Sequence, residues 1–294
     1  MTETRKIARP ASRWLRVIVA GLAAAPGTAS AQALDLFYER TVLRAADERC
    51  ELLAPEIATA LAAGAAQARG AALRAGVGER STRAVERRAM DRASRLPCGS
   101  PDLAREADRA EQAFQAFSKI QRMTYPGDAA AWRADRAYAK APRWRLAQDS
   151  RFGADRMTFG LAGRDTPVLV AVAQFADGAA PYGARLVLRD TDRTLGPYLP
   201  GGSAPLAARM PPVRSLRTFL ADARGRAETE LLPRDSKGGW TLRFPTSAAD
   251  ALAGLDPREA VAVEFLFPHD KIRTAYVEVG DFAAGKAFVK LAAR

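Results

Sequence analysis

The sequence is poor in the residues from which most catalytic and metal sites are built. Its 294 residues include one histidine and two cysteines, and aromatic residues make up 7% of the chain. A structural zinc site needs four cysteine or histidine ligands, so that class of site is excluded. The G-x-S-x-G motif of many serine hydrolases is absent, as is a P-loop lysine pattern. The enzyme and zinc-module classes that depend on these motifs are therefore not indicated.

The few residues that could carry chemistry stand in patterns that are more typical of turns. His269 lies in "FPHDK", at the expected tip of a hairpin. Such a tip is exposed to solvent and is poorly suited to hold a preorganised general base. "GVGERS", residues 76–81, resembles a phosphate loop but follows a helical pattern where a strand is needed. Asp190 and Asp192 resemble half of a calcium loop, yet Gly201 stands where a bidentate glutamate is required. We predict no enzyme, no cofactor and no metal, while a pair of carboxylates brought together from distant positions stays open.

The first 31 residues predict a secretory signal peptide. Five basic residues precede a short apolar run at 17–25, and a proline-glycine pair follows it. Ala29 and Ala31 flank one residue, as signal peptidase requires, so cleavage is expected after Ala31. The apolar run is well short of the about 20 residues that a spanning helix needs. We therefore expect Sec export, a mature chain without a transmembrane segment, and a periplasmic or secreted location. An amphipathic N-terminal helix is the alternative.

The cysteine count carries a structural prediction. Two cysteines in an exported chain indicate one disulfide, between Cys50 and Cys98. Closing a loop of about 48 residues would stabilise the fold by about 4 kcal/mol on the chain-entropy model. We interpret this bond as a structural staple.

The chain is basic, with a formal net charge of +12. Its arginines are interleaved with acids, as in "RAVERRAMDRASR" at 83–95, and they lack the aromatic residues that a nucleic-acid surface uses for stacking. A nucleic-acid partner is therefore not predicted. This pattern fits a solvated arginine-rich surface, and attraction to an anionic lipid or envelope polymer stays open.

Residues 32–125 predict a helical domain. Apolar residues recur every seven positions at Leu36, Leu43, Cys50 and Ile57, which places them on one stripe of a helix. Pro55 should kink this helix or start a new one.

Two further helices are expected in this domain, at about 81–96 and 100–125. Ser81 and Ser100 are the predicted N-caps, and a tyrosine-proline-glycine sequence should end the last helix. A Cys50–Cys98 bond would pin the resulting bundle. Phe114 and Phe117 on the last helix could pack inside the protein or form a groove for a partner helix.

Beyond a predicted linker at 126–143, residues 144–294 predict an antiparallel β-sandwich with short added helices. Segments 167–175 and 184–190 are expected to form a hairpin. Further strands are expected around 144–146, 157–161, 217–221, 240–244, 260–267 and 272–279, and helices at 247–255 and 281–292. The tryptophans Trp132, Trp144 and Trp240 are expected to pack in the core or at an interface. The long loop at 190–212 is rich in glycine and proline, and we expect it to be a variable, functional or mobile surface.

Several stretches resemble known exported proteins. "FYERTVLRAADERC", "AAQARGAALRAGV", "PCGSPDL" and "YVEVGDFAAGKAF" are similar to an uncharacterised family of exported proteobacterial proteins, over nearly the whole mature chain. The C-terminal half, ending in "VGDFAAGKAF" at 279–288, resembles the end of the invasion-associated locus B family of periplasmic β-sandwich proteins. These resemblances imply export and a sandwich, and they bring no activity and no functional residue.

Taken together, the sequence predicts an α+β protein: a disulfide-stapled N-terminal helical bundle followed by an antiparallel β-sandwich. The expected role is that of a non-catalytic module that binds a protein or an anionic component of the cell envelope. Two alternatives stay open. One is an envelope hydrolase or lyase that uses carboxylates alone, and the other is an oligomeric scaffold assembled through the helical part.

Overall fold

The computed structural model describes residues 26–200 and 204–291, so residues 1–25 of the predicted leader at 1–31 and the loop position Gly201 lie outside the described residues. The described chain has six α-helices, four of which come first. They are α1 (Pro26–Cys50), α2 (Pro55–Arg74), α3 (Glu79–Arg95), α4 (Pro101–Phe117), α5 (Thr246–Ala253) and α6 (Phe282–Lys290). Within these ranges, no helix combines the length and the hydropathy that a membrane span requires.

Eleven described strands form two antiparallel sheets. They are β1 (Arg122–Tyr125), β2 (Trp132–Asp135), β3 (Arg143–Phe152), β4 (Asp155–Gly163), β5 (Val168–Gln174), β6 (Gly183–Arg189), β7 (Leu216–Leu220), β8 (Ala223–Arg226), β9 (Trp240–Arg243), β10 (Ala260–Phe267) and β11 (Lys271–Glu278). The larger sheet has the order β1-β2-β3-β4-β5-β9-β8, and the smaller has the order β11-β10-β6-β7. The predicted helical bundle followed by a β-sandwich is confirmed.

The main core lies between the two sheets. Alternate residues of β5 and β10, among them Ala171 and Val263, point into it, as the two-residue period of a strand requires. Aromatic rings fill its centre: Phe265 packs edge-on against Phe175 with ring centroids 5.2 Å apart. The outer face of β5 is also buried, because Val172 lies under Leu231. Burial on both faces explains why the sequence of β5 is almost continuously apolar.

The helical part is built around α1, which contacts α2, α3 and α4. Leu43 packs with Leu53 in one small cluster, and Ala46 packs with Leu103 in another. Small alanine side chains allow these helices to approach closely. The predicted disulfide is confirmed: Cys50 at the end of α1 is bonded to Cys98 in the turn between α3 and α4.

Two buried contacts join the helices to the sandwich. Arg74 at the end of α2 forms a bidentate pair with Asp281, in which Nη2 lies 2.8 Å from Oδ2. Gly70 makes room for this pair, because a Cβ at that position would lie 2.2 Å from the Asp281 Oδ1. At the end of α4, Arg136 donates to the carbonyls of Phe117 and Ile120, both at 2.6 Å, and so satisfies a helix terminus.

Several predicted boundaries are wrong. Ser81 does not cap α3, because the extended residue Gly78 takes the N-cap position and its carbonyl accepts the Ser81 N–H at 2.9 Å. The last helix of the bundle ends at Phe117 rather than near residue 125, where β1 already runs. The predicted linker at 126–143 contains β2, and the Trp132 side chain of that strand is fully buried.

The predicted hairpin of 167–175 with 184–190 is also wrong. These segments are β5 and β6, which belong to different sheets. Alternation identifies a strand but not the sheet to which it belongs, and the connection after Phe175 is long enough to cross between packed sheets. The predicted hairpin around His269, by contrast, is present: β10 and β11 pair in register, and His269 lies between them with φ 61.

Part of the long loop at 190–212 packs against the protein. Its Leu206–Arg209 turn contacts β10 and β11. Arg209 is buried, donates to the Ala204 carbonyl at 2.9 Å and lies 3.6 Å from the Glu278 carboxylate. This part of the loop therefore covers the outer face of the smaller sheet.

Candidate anion-binding surface

Helix α3 turns one face toward α1 and the other toward solvent. Its buried residues Thr82, Val85, Ala89 and Ala93 follow steps of three and four positions. This spacing places one narrow stripe of small and apolar side chains against the neighbouring helix, where Ala93 packs with Ala46. Every residue outside the stripe is available to carry charge.

The solvent side of α3 is strongly basic. Six exposed arginines lie on this helix, at positions 80, 83, 87, 88, 92 and 95. Of the three acidic residues in α3, only Asp91 is exposed. Guanidinium groups keep their charge at any physiological pH, so the exposed face is positive under all ordinary conditions. We call these six arginines the arginine face.

The other two acids of α3 are directed toward the protein. Glu79 is buried, and its Oε1 accepts a hydrogen bond from Arg83 at 2.9 Å. Glu86 is half-buried, and its carboxylate lies 4.0 Å from Arg44 of α1. The charges that alternate along the sequence are thus separated in space, because the helix sends most acids to one side and most arginines to the other.

Four members of the arginine face have no partner among the described residues. Arg80, Arg87, Arg92 and Arg95 form no ion pair and no hydrogen bond with any residue in the described ranges, whereas Arg88 lies over the Tyr38 ring at 5.5 Å.

The arginines of the next helix behave differently. In α4, Arg109 is bonded to Glu106 at 2.5 Å, and Arg105 is bonded to Asp102. The arginine face is therefore the part of the bundle that offers guanidinium groups to an external anion.

The ends of α3 are held rigidly. At its C-terminal end, Arg49 of α1 donates to the carbonyls of Ala93, at 3.0 Å, and Leu96. The disulfide at Cys98 follows directly. At its N-terminal end, Glu79 lies 3.9 Å from the guanidinium of Arg189, which comes from β6. These contacts keep the arginine face in a fixed orientation relative to the sandwich.

Arg189 belongs to a buried charge network at the same end of α3. Its Nε and Nη2 donate to the two Glu259 oxygens at 2.6 and 2.9 Å, and both side chains are almost completely buried. Burial raises the pKa of Glu259, and the hydrogen bond from Arg189 opposes that shift. Asp256 donates its backbone N–H to the same carboxylate at 2.9 Å. This network holds the structure together and presents no free charge to a ligand.

A second anion-binding geometry is already occupied by the protein. The backbone N–H groups of Asp128, Ala129 and Ala130 converge on the Glu278 carboxylate at 2.7–2.8 Å. Successive amides of this kind form a concave nest that would bind an anion. Because Glu278 fills the nest, this site serves the fold.

A surface depression of about 420 Å³ contains two carboxylates, Asp155 and Asp177. Arg273 donates to both, at 3.1 Å to Asp155 and 3.0 Å to Asp177. The hydrogen bond from Arg273 lowers the pKa of Asp177 to about 2. A carboxylate with so low a pKa is a weak base and stays ionised near neutral pH, so it does not suit proton transfer.

The structure places the other residues singled out by the sequence as follows. His269 is exposed at the tip between β10 and β11. Asp190 and Asp192 share a turn, in which the Asp192 N–H donates to the Asp190 Oδ1 at 3.1 Å. Phe117 packs edge-on against Phe288 of α6 at 5.6 Å, which is the internal packing expected as one of two possibilities. In the described parts of the chain, no three His, Cys, Asp or Glu side chains are grouped as metal ligands would be.

Trp132, Trp144 and Trp240 are structural, as expected. Trp132 donates to the Val279 carbonyl at 2.9 Å inside the core. Trp144 donates to the Leu231 carbonyl at 3.1 Å, and Trp240 packs at the edge of the core beneath two arginines of β8. Ala29 and Ala31 lie within α1, and cleavage after Ala31 stays a prediction.

Sequence reasoning missed the arginine face, although the signal was available. Along the chain, the arginines of residues 83–95 are interleaved with acids, and this order predicts a surface of mixed charge. The 3.6-residue period that identified the buried stripe of α3 also sorts the charges by direction. Comparison of this chain with protein-family models, with curated proteins and with solved structures finds no match.

Proposed function

We propose that the protein is an exported, non-catalytic module that binds an anionic component of the bacterial envelope through the arginine face of α3. The observation that supports this proposal is the separation of charge on α3, which exposes six arginines and only one acid. Four of the six have no partner among the described residues, so an external anion would not have to displace an internal one. Phosphate and carboxylate groups are the natural partners of guanidinium.

The proposed location is the periplasm. A disulfide is typical of an oxidising compartment, and Cys50 and Cys98 are bonded. The predicted leader at 1–31 fits the same compartment. Envelope phosphates and carboxylates are present there at high density, and a basic protein would encounter them without any targeting beyond export.

A non-catalytic role is supported by the hydrogen bonds that already engage several carboxylates within the protein. The two carboxylates in the surface depression, Asp155 and Asp177, are both bonded to Arg273. Glu259 is bonded to Arg189, and Glu278 fills a backbone nest. Acids engaged in this way stabilise a structure, and none is poised to take a proton from a substrate.

The test is binding to a soluble polyanion, for which dextran sulfate is the probe. A variant with Arg80, Arg87, Arg92 and Arg95 changed to glutamine should bind at least tenfold more weakly than the wild type. Its matched control removes the same number of charges elsewhere, with Arg105, Arg109, Arg122 and Arg151 changed to glutamine. We expect the control to bind within about twofold of the wild type and the affinity of the wild type to fall steeply with added salt. Equal loss in both variants would show that only net charge matters and would refute a specific face.

A further inference from the structure

A loop with exposed apolar side chains lies beside the arginine face. Leu195 and Val213 are among the most exposed large apolar residues described, with 95% and 86% of their surface accessible. Tyr198, at 40%, stands between them along the chain. Single exposed apolar residues are ordinary, but three in one loop beside a basic helix form a pattern. We call Leu195, Tyr198 and Val213 the apolar tip.

The two arms of this loop are fastened to each other and to the sandwich. Ser215 accepts the Asp190 N–H through its carbonyl at 2.8 Å, and its hydroxyl lies 3.1 Å from the Tyr198 hydroxyl. Leu195 on one arm and Val213 on the other are therefore carried by a braced loop. Apolar side chains that are held in water on a braced loop cost free energy, because they cannot fold back onto the protein.

The loop also touches the N-terminal end of α3. A Cβ on Gly196 would lie 3.5 Å from the Glu79 Oε2. Two positions earlier, the Thr194 hydroxyl accepts a hydrogen bond from Arg189 at 3.0 Å, and the same guanidinium lies 3.9 Å from Glu79. Leu195 is thus held next to the N-terminal end of the helix that carries the arginine face, and Tyr198 and Val213 follow on the same braced loop.

Exposed arginines flank the apolar tip, and the loop also carries the exposed Asp192. Arg193 next to the apolar tip is 76% exposed, and Arg214 is exposed beside Val213. Arg193 lies 3.4 Å from Asp190, which neutralises it in part. Apolar side chains flanked by arginines, with an aromatic residue between them, match the composition of segments that lie in the interface of an anionic bilayer.

We propose that this surface docks on the anionic lipid bilayer, with the arginine face held by lipid phosphates and the apolar tip inserted among the headgroups. The inference rests on the proposed function and names its partner as a lipid surface rather than a soluble polymer. Complementary charge together with apolar anchors favours a bilayer, since a soluble polyanion would satisfy the arginines and leave Leu195 and Val213 in water. Electrostatic attraction and apolar insertion contribute separately to interfacial binding.

The experiment is flotation with lipid vesicles. The protein is produced with its own leader and recovered from the periplasm, so that the apolar run at 17–25 cannot cause binding. Vesicles of phosphatidylglycerol and phosphatidylcholine in equal parts are compared with vesicles of phosphatidylcholine alone. We expect binding to the anionic vesicles only, weakened by salt.

Three variants separate the contributions. Changing Leu195 and Val213 to serine should weaken binding to anionic vesicles about tenfold, because two apolar side chains lose their burial. The same variant should bind dextran sulfate as the wild type does. Leu220→Ser is the matched control: Leu220 is 65% exposed and lies at the other end of β7, so its replacement should change neither binding. The four-glutamine variant of the arginine face should lose both. All of these positions are exposed, and an unchanged melting temperature verifies that each variant is folded.

The outcomes are distinguishable. Binding to dextran sulfate without binding to anionic vesicles overturns the bilayer inference and leaves the proposed function standing. Vesicle binding that is insensitive to the Leu195 and Val213 changes overturns insertion of the apolar tip. Wild-type binding of dextran sulfate by the four-glutamine variant overturns the proposed function, and the inference falls with it.

Discussion

Replacing Glu259 with glutamine should lower the free energy of unfolding by about 3 kcal/mol. Glu259 accepts two hydrogen bonds from Arg189, at 2.6 and 2.9 Å, and both side chains are at most 1% exposed. Neutralising the acid leaves a guanidinium with little solvent access. Breaking a buried ion pair by removing one partner costs about 3–5 kcal/mol. Glutamine keeps the volume and can still accept the Asp256 N–H, so the effect belongs at the lower end of that range.

The double variant Arg189→Met, Glu259→Gln isolates the pair itself. Arg189→Met alone should cost about as much as Glu259→Gln, because it leaves a buried carboxylate without its partner. With both charges gone, no ion remains unpaired, so the double variant should be about 2–3 kcal/mol more stable than the sum of the two single changes predicts. A contact made by packing alone would not produce a coupling free energy of this size.

Urea unfolding with the disulfide intact provides the measurement. At a slope of about 3 kcal/mol/M, the glutamine variant should unfold at roughly 1 M less urea. Asp165→Asn is the matched control, since Asp165 pairs with Arg164 at 3.0 Å with both side chains exposed, and it should change stability by under about 0.5 kcal/mol. A cost below 1 kcal/mol for Glu259→Gln, or additive single changes, would refute our reasoning about burial.

Two further predictions concern the disulfide and the surface depression. Reducing the Cys50–Cys98 bond should lower the melting temperature by roughly 10 °C, because a loop of 48 residues is released, and unchanged melting would show that the bond is no staple. Asp177, whose pKa the Arg273 hydrogen bond lowers to about 2, should stabilise the fold above about pH 4 and lose this effect as the pH falls through 2. The difference in melting temperature between the wild type and Asp177→Asn should therefore shrink on acidification, and a constant difference would contradict the assignment.

The helices could be predicted from the sequence because local signals specify them. Pro55 and Pro101 each stand at the first residue of a helix, and the heptad spacing of Leu36 and Leu43 marks the apolar side of α1. The disulfide followed from an even cysteine count. The bounds of β10, residues 260–267, match the prediction because seven of its eight residues are apolar, a short run that is typical of a buried strand.

What the sequence could not provide depends on neighbours distant in the chain. Strand β8 is exposed along its whole length and shows no alternation, and β2 is short and surrounded by alanine and charge. Nothing in the sequence around Trp132 of β2 indicates that the indole ring enters the core. The pairs Arg189–Glu259 and Arg74–Asp281 join residues 70 and 207 positions apart, so no local pattern announces them. The arginine face could be predicted in part from the sequence, because the 3.6-residue period of the helix alone separates its arginines from most of its acids.

The contact between the ends of α2 and α6 joins an early part of the chain to a late one. Both bonded sulfur atoms lie within the first hundred residues, so the cross-link joins only the N-terminal third of the chain. Asp281, which Arg74 requires, arrives 207 residues later. A product truncated before Asp281 would leave the Arg74 guanidinium without this carboxylate, so the last turns of the chain act as a latch on the helical part.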